Sequence, residues 1–234
     1  MSHHIVEASN LHYRYPDGTQ ALKGVSFRIH HGESVAIVGA NGAGKSSLLL
    51  HLNGYLLAGS GEVRIGDLAV TRKTLQTIRR SVGMVFQDPD DQLFMPTVQD
   101  DVAFGPLNLG LEGAELEARV NAALEQVDAL PLRHKAPYHL SGGEKKRVAI
   151  ATVLAMTPDI LVLDEPSSGL DPLARRQLIG LLGAFSHTKI LTSHDLELVL
   201  EVCERVIMLK SGEVRADGPS RELLADDALL VECH

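Results

Sequence analysis

Gly39-Ala40-Asn41-Gly42-Ala43-Gly44-Lys45-Ser46 decides how the rest of the chain is read. Gly39, four residues, then Gly44-Lys45-Ser46 is the spacing of a P-loop. Before it, Ser34-Val35-Ala36-Ile37-Val38 is short, apolar and β-branched, as a buried strand is. After it, Ser47 to Leu52 reads as a helix, with Asn53-Gly54 as its stop. The loop therefore sits between strand and helix, the context that makes a glycine-rich motif a phosphate site. Its glycines let backbone N–H groups wrap a β-phosphate, and the next helix adds its positive end. Lys45 is expected to reach the β- and γ-phosphates, and Ser46 to ligate Mg²⁺. The rival is a glycine-rich turn with a chance Lys-Ser, against which the flanks argue.

Composition sets the bounds. The chain has 234 residues, 44% hydrophobic, with mean hydropathy +0.04. That is enough for one substantial core, or a core plus a subdomain. Its densest apolar segment, Val148 to Met156, follows Lys145-Lys146-Arg147 and is too short to cross a bilayer. Met1-Ser2-His3-His4 runs straight into a strand-like segment and reads as lacking a secretory leader. A net charge of −8 with no dominant basic stripe argues against nucleic acid as a partner. Cys203 and Cys233 lack the spacing of a metal knuckle or a redox pair. Cys203 lies on an apolar helical pattern and reads as a core residue, in keeping with a reducing cytosol.

Ahead of the loop, Ile5-Val6, Leu11 to Tyr15, the turn Pro16-Asp17-Gly18 and the alternating Val25, Phe27 and Ile29 predict antiparallel strands. Gly61 to Val70 predicts a hairpin turning near Gly66-Asp67. Val82 to Phe86 predicts a buried strand ending at Gln87. From Asp88 to Met156 helical periodicity dominates. Leu116, Val120, Leu124, Val127 and Leu130 share one face of a helix predicted over 114–130, and a second helix is predicted over 141–156. Strands return at 160–163, 189–192 and 206–209, Ser211-Gly212 turns a hairpin, and Ser220 is predicted to cap a last helix over 221–230. The expected fold class is α/β. A P-loop core (1–87 and 159–234) with an N-terminal antiparallel β subdomain is interrupted by a helical subdomain (88–158).

Two further stretches carry chemistry. Ile160 to Leu163 is an apolar strand ending in two carboxylates. Beside a P-loop, this places Asp164 on Mg²⁺ and leaves Glu165 as general base, or as the group that orients the attacking water. In Leu140-Ser141-Gly142-Gly143-Glu144, Ser141 and Glu144 have capping-box spacing. Gly142 and Gly143 clear side chains from the helix tip, so its N–H groups could face a phosphate. A cap alone does not call for two glycines, which weaken a helix start. Capping and phosphate binding compete for one hydroxyl.

Taken together, the P-loop, Gln87, Leu140 to Glu144, Asp164-Glu165, Ser168-Gly169-Leu170-Asp171 and His194 resemble the ATP-binding-cassette (ABC) ATPases, in the family's order and over nearly the whole chain. The resemblance implies a RecA-like core, ATP and Mg²⁺ as cofactors, and a head-to-tail dimer, either a homodimer or a heterodimer with a similar ATPase. Each ATP would lie between one subunit's Gly39, Asn41, Gly42, Gly44, Lys45, Ser46 and Ser47 and the other's Ser141, Gly142, Gly143 and Glu144. Asp171 would communicate across that interface. His194 would hydrogen-bond the γ-phosphate, and Gln87 would sense Mg²⁺ and the lytic water. Tyr15 matches the aromatic that stacks on adenine, with Tyr13 as the nearby alternative. Glu144 departs from the commonest signature, which has Gln there; its carboxylate suits the capping box.

A narrower resemblance follows. Gln87 to Phe94, Pro96-Thr97-Val98 and Asp101 to Leu109 resemble the ATPases of energy-coupling-factor importers, most of all the cobalt/nickel type. This implies a peripheral subunit on the cytoplasmic face of the membrane, with an integral-membrane scaffold subunit and a substrate-binding membrane subunit as partners. The scaffold's coupling helices would dock on Asp88, Asp90 and Asp91, with Asp100 and Asp101, beside Leu93, Phe94 and Met95. A vitamin importer of the same type is the alternative. A soluble cassette acting on DNA or ribosomes is the rival from another class. Against it, Lys45 and Ser141 enclose no long coiled coil, and the chain holds one cassette. Of the eleven histidines, the adjacent pairs His3-His4 and His30-His31 point to opposite faces of a strand and read as surface residues, not cargo ligands.

Overall fold

Alternation and turn chemistry build the amino-terminal layer. In the computed structural model, which describes residues 4–233, β1 (His4–Arg14) and β2 (Gln20–His30) pair antiparallel. Arg14 locks their turn by donating to the Gly18 carbonyl at 3.0 Å. β3 (Ser34–Val38), buried throughout, runs into the P-loop, and α1 (Lys45–Leu52) leaves it to stop at Asn53. β4 (Ser60–Ile65) and β5 (Leu68–Ala69) form the hairpin at Gly66-Asp67. α2 (Leu75–Ser81) then leads into β6 (Val82–Val85).

Three helices follow before the next strand: α3 (Val98–Asn108), α4 (Gly113–Gln126) and α5 (Gly142–Leu154). The remainder alternates: β7 (Ile160–Leu163), α6 (Pro172–Ala184), β8 (Thr188–Thr192), α7 (Leu196–Val202) and β9 (Arg205–Lys210). β10 (Glu213–Pro219), α8 (Ser220–Leu223) and α9 (Asp227–Cys233) close the described chain. Among the described residues no helix is long and apolar enough to cross a membrane.

The strands form two sheets. One is antiparallel, in the order β2-β1-β4-β5; the other runs β10-β9-β3-β8-β7-β6, parallel except for β10. Parallel strands are covered on both faces, which is why β3, β7 and β8 are buried along their whole length rather than in alternation. β3 shows the division. Val35 and Ile37 join the core shared with α1 and the antiparallel sheet, while Ala36 and Val38 join the core built with α5. β8 lies between β3 and β7, so three strand ends converge: the P-loop, the Asp164-Glu165 pair and Ser193-His194. Ligands bind at such carboxyl ends in open α/β sheets.

Two helix boundaries differ from the periodic pattern. The helix predicted over 114–130 ends at Gln126, and Asp128 turns left-handed at φ 52°. Val127 is still buried, and Leu130 returns in a separate 3-10 turn, Leu130–Leu132. Burial keeps the apolar spacing going after the helix has stopped, and Pro131 disfavours helix in the residue before it. The helix predicted over 221–230 is two helices. Ser220 is not its cap: it starts α8, and its buried hydroxyl has no hydrogen-bond partner. Asp226 interrupts, accepting from Leu229 N at 3.0 Å to start α9. His3 lies outside the described residues; His30 and His31 are exposed.

Candidate functional site

Backbone geometry makes the loop. Gly39 has φ 151°, and a Cβ there would sit 2.2 Å from the Leu209 carbonyl oxygen on β9. No other residue fits between these neighbouring strands. Lys45 is buried, and its ammonium donates to the carbonyls of Gly39 (2.7 Å) and Ala40 (3.2 Å), 3.3 Å from His194 Nε2. Burial pushes the Lys45 pKa down; Glu165 and Asp164 push it back up. Ser46 is exposed. Ser47 is buried, with its hydroxyl 3.0 Å from Tyr15 OH.

The end of β7 supplies the carboxylates. Thr192 on β8 joins them: its hydroxyl donates to Asp164 Oδ1 (2.6 Å) and accepts from Glu165 N (2.9 Å). Glu165 has φ 44°, left-handed for a residue with a side chain, a strain of roughly 1–3 kcal/mol of the kind found at functional sites. Its Oε2 accepts from His194 N at 3.1 Å. Its Oε1 is buried, 3.3 Å from His194 Nε2, and accepts no hydrogen bond. His194 Nε2 also lies 3.0 Å from Asn41 Oδ1, so the loop, the acid and the histidine form one connected group. A cleft of about 430 Å³ opens among Tyr15, Asn41, Gly42, Gly44, Lys45, Ser46, Ser47, Gln87, Glu165 and His194.

These residues fit ATP with Mg²⁺. An ammonium folded onto its own loop and an unsatisfied buried carboxylate oxygen are groups that a polyphosphate and a water would engage. The Ser46 hydroxyl and the Asp164 carboxylate are oxygen donors of the kind a small divalent cation takes. Tyr15 lines the cleft. Tyr13 instead packs edge-on against His51 (4.7 Å) and Tyr15 (5.0 Å).

Ser141, Gly142 and Gly143 do not line this cleft. Ser141 caps α5 in a full capping box: its hydroxyl accepts from Glu144 N (3.3 Å), and Glu144 Oε2 accepts from Ser141 N (2.8 Å). That N–H holds the Glu144 carboxyl below its ordinary pKa. The competition for one hydroxyl resolves physically, since an oxygen that accepts from a backbone N–H keeps its own O–H to donate. A Cβ on Gly142 would meet only open space. Asp171 is exposed and caps α6, accepting from Leu173 N and Ala174 N at 2.9 Å.

The acidic segment after Gln87 divides. Asp88 caps the turn Pro89–Asp91, Asp90 pairs with Lys145 (2.6 Å), and Asp91 is exposed. Phe94 is 64% exposed, edge-on to Phe104 at 5.2 Å. Two expectations fail here. Leu93 is buried in the helical core, so it presents no docking surface. Asp101 is buried too, with Oδ1 accepting from Phe94 N and Met95 N at 3.0 Å each; it shapes the turn instead of facing a partner. Sequence reading also missed Thr192 and the buried Lys146, whose partners lie far off in the chain, and the pairing of Phe104 with nearby Phe94.

A family model described as ABC transporter matches residues 22–168. A Geobacter sulfurreducens protein assigned to the ABC transporter ATP-binding proteins is 70% identical over all of this chain and 94% of its own length. The energy-coupling factor transporter ATP-binding protein EcfA of Methanothermobacter thermautotrophicus is 51% identical over 97% of this chain and 74% of its own. Among solved structures, cbiO1 from Clostridium perfringens, described as part of the ABC transporter complex cbiONQ, superposes with TM-score 0.86 at 41% identity, over 96% of this chain and 92% of that one. The cassette MJ0796, solved as a dimer bound to ADP and Pi, gives 0.83 at 31%, over 92% and 99%.

Proposed function

This chain belongs to the ABC transporter family as an ATPase of the energy-coupling-factor type, and from that premise we propose that it powers the import of cobalt or nickel ions. Two copies work together on the cytoplasmic face of the membrane, held there by an integral-membrane scaffold and a substrate-binding subunit. Gln87 to Leu109, the stretch that resembles the cobalt/nickel type, supports the cargo reading. Asp90, Asp91 and Phe94 with its neighbour Phe104 form the scaffold-facing surface.

Bound Mg²⁺–ATP supplies the scissile phosphoanhydride and a cation that offsets its charge. The chain does the rest by positioning and electrostatics. Lys45 exchanges its carbonyl partners for phosphate oxygens. Ser46 and Asp164, the latter aimed by Thr192, would hold the cation, and Gln87 would sense it and the lytic water. Glu165 orients the attacking water and takes its proton. His194 bonds the γ-phosphate, and the partner's α5 tip closes over it with Ser141 and Gly142.

One observation carries this reading: Glu165 presents a buried, hydrogen-bond-free oxygen to the cleft, beside His194 and Lys45. Glu165→Gln should bind ATP with little change and lose roughly two to four powers of ten in turnover. Near-normal hydrolysis in that variant would remove Glu165 from its role.

A further inference from the structure

Lys146 on α5 is 3% exposed, where a lysine normally reaches water. Its ammonium donates to two backbone carbonyls, Gln87 O at 2.8 Å and Glu165 O at 3.3 Å. Those carbonyls belong to two residues that line the nucleotide cleft, one after β6 and one after β7. Burial lowers the Lys146 pKa, while Asp88, Glu165 and Asp164 raise it again. A buried ammonium held mainly by carbonyls is costly, and an apolar side chain of the same length would fill the space. The position therefore calls for a role beyond packing.

The geometry of α5 suggests one. The helix is capped by Ser141, at the tip assigned to the partner's nucleotide, and five residues on from that cap it grips two groups of its own site. We infer that Lys146 is a positioning residue, a clamp that ties the orientation of Gln87 and Glu165 to the placement of α5. Closure of the helix tip on one nucleotide then aligns the hydrolytic groups at the other. This rests on the reading that Glu165 and Gln87 serve hydrolysis.

The test compares two variants in the full-length dimer. Lys146→Met keeps the stem and removes both hydrogen bonds. Lys146→Gln keeps two N–H donors without the charge. In Lys146→Met, kcat should fall roughly a hundredfold, the cost of slight misplacement, while binding of a fluorescent ATP analogue stays close to wild type. Amide exchange over 87–91 and 165–168 should rise at an unchanged Tm. Lys146→Gln should recover most of kcat. Wild-type kcat in Lys146→Met would overturn the clamp, as would parallel loss of turnover and nucleotide affinity in both variants. Should Lys146→Met not fold, Lys146→Gln decides: wild-type exchange at Gln87 with most of kcat supports the clamp, and raised exchange with full kcat overturns it. Glu165→Gln is run alongside. If it too hydrolyses normally, the reading of the site falls; if it is inactive while Lys146→Met is normal, only the clamp falls.

Discussion

Asp101 shows how one side chain changes meaning between sequence and structure. In the sequence it is one of five aspartates in an acidic run; in the fold it holds the turn at Phe94 and Met95 from beneath. Burial raises its pKa above the ordinary 3.8, and its Oδ2 has no partner. A carboxyl whose folded pKa is raised stabilises the fold fully below its unfolded pKa and loses that contribution as pH rises through the folded value. Asp101→Asn keeps the acceptor oxygen and removes the charge. Its stability relative to wild type should therefore improve as pH rises from about 4 to 7, read by urea denaturation at each pH. Asp101→Ala leaves two part-buried N–H groups without their acceptor and should cost about 1–3 kcal/mol. Lys45, Ser46, Asp164 and Glu165 were legible because each follows a strand by a fixed short spacing. Asp101, Thr192 and Lys146 were not, because what defines them lies elsewhere: Thr192 meets Asp164 from 28 residues away, and Lys146 meets Gln87 from 59.

At the scale of elements, β3 and β7 were readable as apolar runs, and α5 as a capped helix. Helices α2, α3, α6 and α7 carried no such expectation; three of them begin at side-chain caps whose helix-starting role was not read from the sequence: Thr97, with its hydroxyl accepting from Asp100 N, and Asp171 and Asp195. How α5 meets the sheet depends on an absent side chain. A Cβ on Gly83 of β6 would come within 2.3 Å of Val153 Cγ1 and 2.9 Å of Pro158 Cγ. Gly83→Ala should push the end of α5 off the strand and destabilise the protein by roughly 1–3 kcal/mol, measured by chemical denaturation. An unchanged midpoint would mean that β6 and α5 are less closely fitted than the structure has them.

For the whole molecule, the proposed function depends on surfaces that one chain cannot complete. Charge reversal at Asp90 and Asp91 should weaken co-purification with the membrane subunits and leave ATP affinity unchanged; full retention would reject that docking surface. Within the chain, the P-loop cleft holds Lys45, Glu165 and His194 but not Ser141, and on the proposed reading a second copy supplies the α5 tip. Subunit mixing tests this directly. Lys45→Ala spoils the P-loop and keeps the tip, while Ser141→Arg spoils the tip and keeps the P-loop. Each variant alone should be nearly inactive, and mixed dimers, which hold one intact composite site, should hydrolyse ATP well above either parent. A mixture no more active than the average of its parents would contradict the shared site.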